Sequence, residues 1–132
     1  MFEIIVEAKF GDLDGLKHIN NNKINEWFEL GQNQIFKIFN PQLNLEDDKW
    51  KIRLIKNQSQ FINQTYYNKP IKIKTYIEEI GTDYFTTKDE AWQENTLTAT
   101  GKSTFQHYDW IKEKPIKIPE NIKKELEKHK KE

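Results

Sequence analysis

An alternation of apolar and polar residues opens the chain. Phe2, Ile4 and Val6 occupy every second position, and the run ends at Gly11. Successive side chains of a strand point to opposite faces of a sheet, so this pattern predicts a first strand over residues 2–10.

A helical pattern follows the first strand. From residue 22 to about residue 39 the apolar residues recur at every third or fourth position, which is the spacing of one helix face. The asparagines at positions 20–22 can cap this helix, and Asn40 before Pro41 ends it. Gly31 lies on the apolar face at a cost of about 1 kcal/mol relative to alanine, which predicts a close approach of helix and sheet. The apolar face consists of Ile24, Trp27, Phe28, Ile35, Ile38 and Phe39.

Strand-like segments separated by turn residues fill most of the second half. In the clearest of them, Ile71, Ile73 and Ile77 lie on one face and polar residues lie on the other. This pattern predicts a sheet with one buried face and one face that is wet or covered by something polar. The predicted strands cover residues 50–56, 60–67, 71–80, 84–93 and 96–108.

A second helix is predicted at the end of the chain, over about residues 119–131. Pro119 opens it, and Ile122 and Leu126 share one face among lysines and glutamates. The order of strand, long helix and a run of four or five antiparallel strands predicts an α+β fold, with the helix packed on one curved sheet. At 132 residues, the chain is predicted to form a single domain over residues 1–132.

Composition excludes several classes of function. Lys plus Arg and Asp plus Glu both number 21, so the net charge is zero and nucleic acid is not expected as the main partner. The absence of cysteine removes disulfides, thiolate nucleophiles and sulfur-ligated metals. Because Glu3 and Glu7 interrupt the first apolar run and no segment could span a membrane, we expect a cytoplasmic protein. Hydrophobic content is 36% but aromatic content is 13%, so we expect a core of large rings that is partly shared with another subunit.

The sequence FGDLDGLKHINN at residues 10–21, followed by Trp-Phe-Glu at 27–29, resembles the 4-hydroxybenzoyl-CoA thioesterase family of hotdog-fold acyl-CoA thioesterases. In this family the first strand runs into a D-x-D-x-x-x-H-x-N-N loop before the central helix. The stretches EEIG at 78–81, ATGKS at 99–103 and KPIKIP at 114–119 are similar to the same family. The resemblance therefore extends over nearly the whole chain in the right order.

The resemblance implies a hotdog fold, in which a curved antiparallel sheet of five or six strands wraps one central helix. It implies hydrolysis of acyl-CoA, or of acyl carrier protein thioesters, in a homodimer or homotetramer whose active sites lie at the dimer interface. We expect no cofactor. It carries the catalytic carboxylate onto Asp14, as nucleophile or as general base for water. It further implies that a backbone N–H near Asn21 polarises the thioester carbonyl.

Elementary chemistry agrees with these two roles. Thioester hydrolysis develops negative charge on the carbonyl oxygen, and a helix N-terminus offers free N–H donors with a partial positive charge. A carboxylate a few residues earlier can deliver or activate the attacking oxygen. Residues 14–21 combine both elements in one short segment.

Each candidate residue also has a simpler structural interpretation. Asp14 is a residue type common in turns, and Asp12 is expected to set the loop. His18 could tune the site or only form hydrogen bonds within the loop. Asn20 and Asn21 could contribute to the site or only cap the helix.

The chain departs from the family pattern in ways that bear on substrate preference. Lys17 stands where glycine commonly precedes the histidine, and Gln32 stands where an arginine is common. Another class of hotdog thioesterase carries its carboxylate on the helix, where this chain has Glu26 and Glu29. Both could equally be solvent-facing or interface-facing residues of the helix. The histidines have no spacing typical of a metal site.

Two further functions are compatible with the same fold. A hotdog module could bind acyl-CoA without hydrolysing it, but such a binder has no need of the carboxylate at Asp14. Hydration or dehydration of enoyl thioesters would require an aspartate and a histidine paired across a different loop. The sequence shows no such pair beyond Asp14 and His18.

Overall fold

The computed structural model describes residues 1–16 and 18–131, so that Lys17 and Glu132 lie outside the described residues. The helical pattern of residues 22–39 becomes α1, and the alternating segments become an antiparallel sheet. In chain order the elements are β1 (Phe2–Val6), a 3-10 turn (Phe10–Asp12), α1 (Asn21–Phe39), β2 (Ile52–Phe61), β3 (Ile71–Ile80), β4 (Tyr84–Gln93), β5 (Thr96–Asp109), β6 (Lys114–Pro115) and α2 (Glu120–Glu127).

The strands form one antiparallel sheet in the order β1-β3-β4-β5-β2, with the two-residue β6 paired to the end of β5. The strands β3, β4 and β5 follow one another as hairpins, whereas β1 and β2 lie at opposite edges. The helix α1 connects these two edges and therefore crosses the inner face of the sheet. The predicted α+β hotdog fold, with one long helix on a curved antiparallel sheet, is confirmed.

Two apolar clusters hold α1 on the sheet. Trp27 and Phe28 belong to the cluster near the N-terminal half of the helix. Phe36 belongs to the second cluster, where its ring centroid lies 5.0 Å from that of Phe105, which stacks on Phe85 at 5.4 Å. Burial of each such ring contributes about 1.5–3 kcal/mol relative to exposure, so the predicted aromatic core is the main attachment of the helix.

Gly31 lies where α1 comes closest to β3. A Cβ atom at this position would collide with the Thr75 hydroxyl and would lie 3.4 Å from Ile73 Cγ2. The predicted close approach of helix and sheet is confirmed.

The first strand is shorter than the predicted range of 2–10. It ends at Val6, and the chain then turns at Phe10–Asp12. The Asp12 carboxylate accepts a hydrogen bond of 2.7 Å from the Lys9 N–H. This local bond competes with sheet pairing, which the alternating pattern alone could not indicate.

The two strands predicted over residues 50–56 and 60–67 are wrong. A single strand, β2, covers Ile52–Phe61, and the segment that follows forms no strand but joins its neighbours through an isolated bridge at Tyr66 and loop hydrogen bonds. The strand lies at a sheet edge, and the residues that follow Arg53 are exposed on both faces. Because neither face is buried, its sequence carries no alternation, and its polar centre resembles a break.

The last helix is also shorter than the predicted range of 119–131. It ends at Glu127, and Lys128 caps it. The chain then passes beside β3, where the Ile77 N–H donates to the His129 carbonyl at 2.9 Å. The final residues therefore extend the contact with the sheet and leave the helical conformation.

Candidate active site

Asp14 lies in a tight turn between two short extended segments. Leu13 and Ile19 form an antiparallel bridge on either side of the turn, and the Asp14 N–H donates to the His18 carbonyl at 2.8 Å. The Asp14 carboxylate closes the turn, because its Oδ1 accepts the Leu16 N–H at 2.8 Å and the His18 N–H at 3.1 Å. Asp14 therefore has the turn-forming role that its residue type allows.

The same two bonds stabilise the ionised form of Asp14. The backbone N–H groups of Leu16 and His18 donate to the carboxylate and lower its pKa below the ordinary value, which keeps it ionised at neutral pH. Both bonds end on Oδ1. Since Asp14 is exposed, Oδ2 is available to a reactant.

The helix α1 begins directly after this turn, with Asn20 as its N-cap. Asn20 Oδ1 accepts the Asn22 N–H at 2.9 Å, and its backbone carbonyl accepts the Lys23 N–H at 2.9 Å. The predicted capping role of Asn20 is thus seen directly. Neither of these capping bonds uses the N–H of Asn21, the first helical residue.

Asp12 positions the helix start against the turn. Its carbonyl accepts the Asn20 N–H at 2.8 Å, and its carboxylate lies 3.4 Å from Lys23 Nζ. Together with the bond from the Lys9 N–H, these contacts give Asp12 a structural role.

A second segment, residues 65–69, holds the turn from the other side. His18 forms an antiparallel bridge with Tyr66, and the Ile19 N–H donates to the Thr65 carbonyl at 3.2 Å. The rings of His18 and Tyr66 meet edge to face, with centroids 6.4 Å apart. His18 thus joins the Asp14 turn to the Tyr66 segment.

The side chain of Gln93, at the end of β4, clamps the Tyr66 segment. Its Oε1 accepts the Tyr66 N–H at 2.7 Å, and its Nε2 donates to the carbonyls of Tyr66 at 2.7 Å and Lys69 at 3.0 Å. A buried side chain here replaces a neighbouring strand. Sequence reasoning missed Gln93, since a glutamine at a strand end carries no distinctive signal.

A cavity beside this clamp has a volume of about 360 Å³, a size typical of small-molecule sites. Tyr66, Lys69, Gln93 and Thr98 are among its lining residues. A larger cavity of about 530 Å³ lies between α1 and α2 and contains none of the candidate site residues. The cavity beside Tyr66 is therefore the more relevant to Asp14, because Tyr66 is bridged to the Asp14 turn.

Comparison with known proteins identifies the family. Residues 8–126 match the model of the thioesterase-like superfamily. The chain belongs to the thioesterase-like superfamily. A search of curated proteins finds no match.

Several solved structures share this fold. A predicted thioesterase from Bacillus stearothermophilus is 30% identical over 99% of this chain and 97% of its own, with a TM-score of 0.93. A thioesterase from Thermus thermophilus, complexed with coenzyme A and Zn, is 16% identical over 94% of this chain and 95% of its own, with a TM-score of 0.81. A hypothetical protein from Staphylococcus aureus in complex with CoA is 12% identical over 99% of this chain and 86% of its own, with a TM-score of 0.87.

This superfamily member has a polar layer inside its core, between the two apolar clusters. Asp89 on β4 is fully buried and accepts hydrogen bonds from Gln32 Nε2 at 2.8 Å and Thr75 Oγ1 at 2.7 Å. Gln32 Nε2 also lies 3.5 Å from Ser103 Oγ. Burial raises the pKa of Asp89 to about 7, although the bonds from Thr75 and Gln32 act in the opposite direction.

Sequence reasoning did not single out Asp89, because an aspartate within a polar stretch of strand resembles a solvent-facing residue. The alternation through β4 is the one available signal. It places Asp89 on the same face as the buried Phe85 and Ala91.

The other sequence candidates lie apart from the Asp14 turn. Glu29 is exposed on α1, and His107 Nδ1 lies 3.2 Å from the Lys117 carbonyl at the far end of β5. In residues 1–16 and 18–131, no three side chains of His, Cys, Asp or Glu come together as metal ligands. No helix in the same part of the chain is long and apolar enough to cross a membrane.

Proposed function

We propose that this protein is a cytoplasmic acyl-CoA thioesterase of the 4-hydroxybenzoyl-CoA thioesterase family, with Asp14 as its catalytic carboxylate. The observation that carries the proposal is the geometry of the turn. An exposed carboxylate, kept ionised by two backbone N–H groups, lies one short loop before the N-terminus of α1. Membership of the superfamily and the CoA bound to two structures of the same fold support acyl-CoA as the substrate.

Asp14 can supply the attacking oxygen in two ways. As a nucleophile, its Oδ2 bonds to the thioester carbon, CoA leaves as the thiolate, and water then hydrolyses the resulting anhydride. As a general base, it takes a proton from water, the hydroxide attacks the same carbon, and the thiolate leaves. After a single turnover in ¹⁸O-labelled water, ¹⁸O in Asp14 identifies the nucleophilic route, with water attacking the Asp14 carbonyl carbon of the anhydride, because the general-base route places ¹⁸O only in the product acid.

The start of α1 supplies the second part of the reaction. Charge grows on the carbonyl oxygen as the attacking oxygen bonds to carbon. The Asn21 N–H and the positive end of the helix dipole stabilise this charge.

The proposal predicts that Asp14→Asn lowers turnover of acyl-CoA by at least about 100-fold, because the amide can neither attack nor take a proton. Release of free thiol from a panel of acyl-CoAs measures the change. Asp109→Asn is the matched control, since Asp109 Oδ1 also accepts two backbone N–H groups, from Ile111 at 2.9 Å and Lys112 at 3.0 Å. This control should retain full activity.

Two outcomes would contradict this prediction. Full activity of folded Asp14→Asn would remove Asp14 from the mechanism. Tight binding of acyl-CoA by the wild type without thiol release would identify a binding module instead.

We also propose that two copies pair through β2, as a homodimer or as a dimer of dimers. This strand has ten residues at a sheet edge and exposes the apolar side chains of Leu54, Ile55 and Phe61. Unpaired backbone groups at such an edge readily pair with another chain. Pairing of identical edges produces two equivalent sites.

A further inference from the structure

The polar layer of the core opens into a small cavity beside β2. The cavity has a volume of about 90 Å³, enough for a few water-sized groups. Its lining includes the buried residues Gln32, Asp89 and Ser103. Asn25, Glu29 and Ser59 are among its exposed lining residues, and Ser59 Oγ donates to Asn25 Oδ1 at 2.7 Å.

The buried end of this cavity has hydrogen-bonding capacity left, mostly as acceptors, with one donor in the Ser103 hydroxyl, which itself accepts from Gln32. Gln32 uses its amide nitrogen for its bonds to Asp89 and Ser103, which leaves its amide oxygen available. Each Asp89 oxygen accepts one bond, whereas a carboxylate oxygen can accept two. A ligand group that enters must therefore supply a donor, such as a hydroxyl.

The cavity continues the helix face that begins at Asn21. Asn25 lies one turn after Asn21 on the same face, and Phe28 and Gln32 occupy the next two turns. Gln32 lies about 16 Å beyond Asn21 along the axis, but its side chain leans back toward the helix start. From this helical rise we expect an acyl chain of hexanoyl to octanoyl length to cover the remaining distance.

We propose that this cavity binds the far end of the acyl group and selects medium-length acyl chains that end in a hydroxyl group. The inference rests on the proposed function, which places the thioester carbonyl at the start of α1. Gln32 and Asp89 determine the specificity. A plain alkyl end is disfavoured because it covers the two acceptors without supplying a donor.

Matched pairs of CoA thioesters test this assignment. Thiol release is measured for hexanoyl-CoA and octanoyl-CoA, each beside its ω-hydroxy derivative, with butyryl-CoA and ω-hydroxybutyryl-CoA as a pair too short to reach Gln32. In the wild type, kcat/KM for the two longer ω-hydroxy substrates should be at least about 10-fold higher than for the plain substrates. The butyryl pair should show no such preference.

Two variants locate the preference. Gln32→Leu removes the amide oxygen at similar size and should bring the ratio within the longer pairs to about one. Asp89→Asn keeps the shape and replaces an acceptor by a donor, so it should lower the ratio even where Gln32→Leu fails to fold. Gln34→Leu makes the same change outside this cavity and should keep the wild-type ratio.

The outcomes distinguish this inference from the proposed function. Equal kcat/KM for plain and hydroxylated substrates in the wild type would overturn the inference and leave the thioesterase proposal intact. A preference that survives both Gln32→Leu and Asp89→Asn would remove these residues from specificity. A wild type that hydrolyses none of the thioesters would overturn both proposals.

Discussion

Asp14 and Asp89 are the same residue type in opposite surroundings. Two backbone N–H donors lower the pKa of the exposed Asp14, whereas burial raises the pKa of Asp89 to about 7. A carboxylate that must attack or take a proton has to be ionised, which suits Asp14. Asp89 binds a proton near neutral pH, and its Oδ1 can then donate to Thr75 Oγ1, since a hydroxyl is both donor and acceptor.

The raised pKa of Asp89 makes folding stability depend on pH. The folded chain holds the Asp89 proton more tightly than the unfolded chain, so this contribution is full below the ordinary pKa and is lost as pH rises toward about 7. The loss is on the order of 4 kcal/mol over that window. Asp89→Asn cannot titrate and should lack this component.

Urea unfolding of wild type and Asp89→Asn at several pH values between 4 and 8 measures the effect (roughly the interval between the two pKa values). The relevant quantity is the difference in unfolding free energy between the two proteins, because buried His107 titrates in both and its contribution cancels. A difference in unfolding free energy that stays constant with pH would show that Asp89 keeps one protonation state.

At the level of the elements, the contacts from β4 to the Asp14 turn depend on one side chain, that of Gln93. Gln93→Leu keeps the size but leaves the N–H and carbonyl of Tyr66 without their partner. The Tyr66 segment should loosen, and through the His18 bridge the turn should move. We expect kcat to fall about 10- to 100-fold, as a small displacement of a reacting group does, with a smaller change in KM.

Gln93→Glu keeps the acceptor for the Tyr66 N–H and loses the donors, so its kcat should lie between those of wild type and Gln93→Leu. Gln106→Leu is the control, since Gln106 bonds Arg53 at the other end of the sheet at 2.8 Å. A Gln93→Leu variant with unchanged kcat but lower melting temperature would assign Gln93 a structural role alone.

Sequence predicted the elements whose burial differs between faces. The stripe of α1 and the alternation of β3 are direct consequences of a buried and an exposed side, and both were found within one residue. The edge strand β2 has no buried face, so its limits could not be predicted. Gln93 and Asp89 could not be assigned because their partners are 14 to 57 residues away, and only the fold brings them together.

The whole molecule has two sheet edges that differ in length and exposure. We predict that the wild type sediments as a dimer or dimer of dimers, and that Ile55→Lys combined with Phe61→Lys shifts it toward the monomer and lowers activity. These side chains are 48% and 41% exposed on β2, so charge there should cost little in the folded monomer. Charge at a paired edge, in contrast, opposes association.

Ile5→Lys is the matched control for this experiment. Ile5 is 64% exposed on β1, the opposite edge, and its replacement should leave the assembly unchanged. Sedimentation of a fully active wild-type monomer would contradict pairing through β2.

The position of β2 has a consequence for synthesis of the chain. Its partner within the sheet is β5, whose paired residues begin at Ala99, roughly forty residues after β2 ends, so at ribosomal rates β2 waits for seconds before it can pair. In the proposed dimer, its other edge waits longer, until a second finished chain arrives. During that interval the apolar residues of β2 are accessible to any nascent chain nearby, which makes this strand the segment where chaperone binding or aggregation competes with folding.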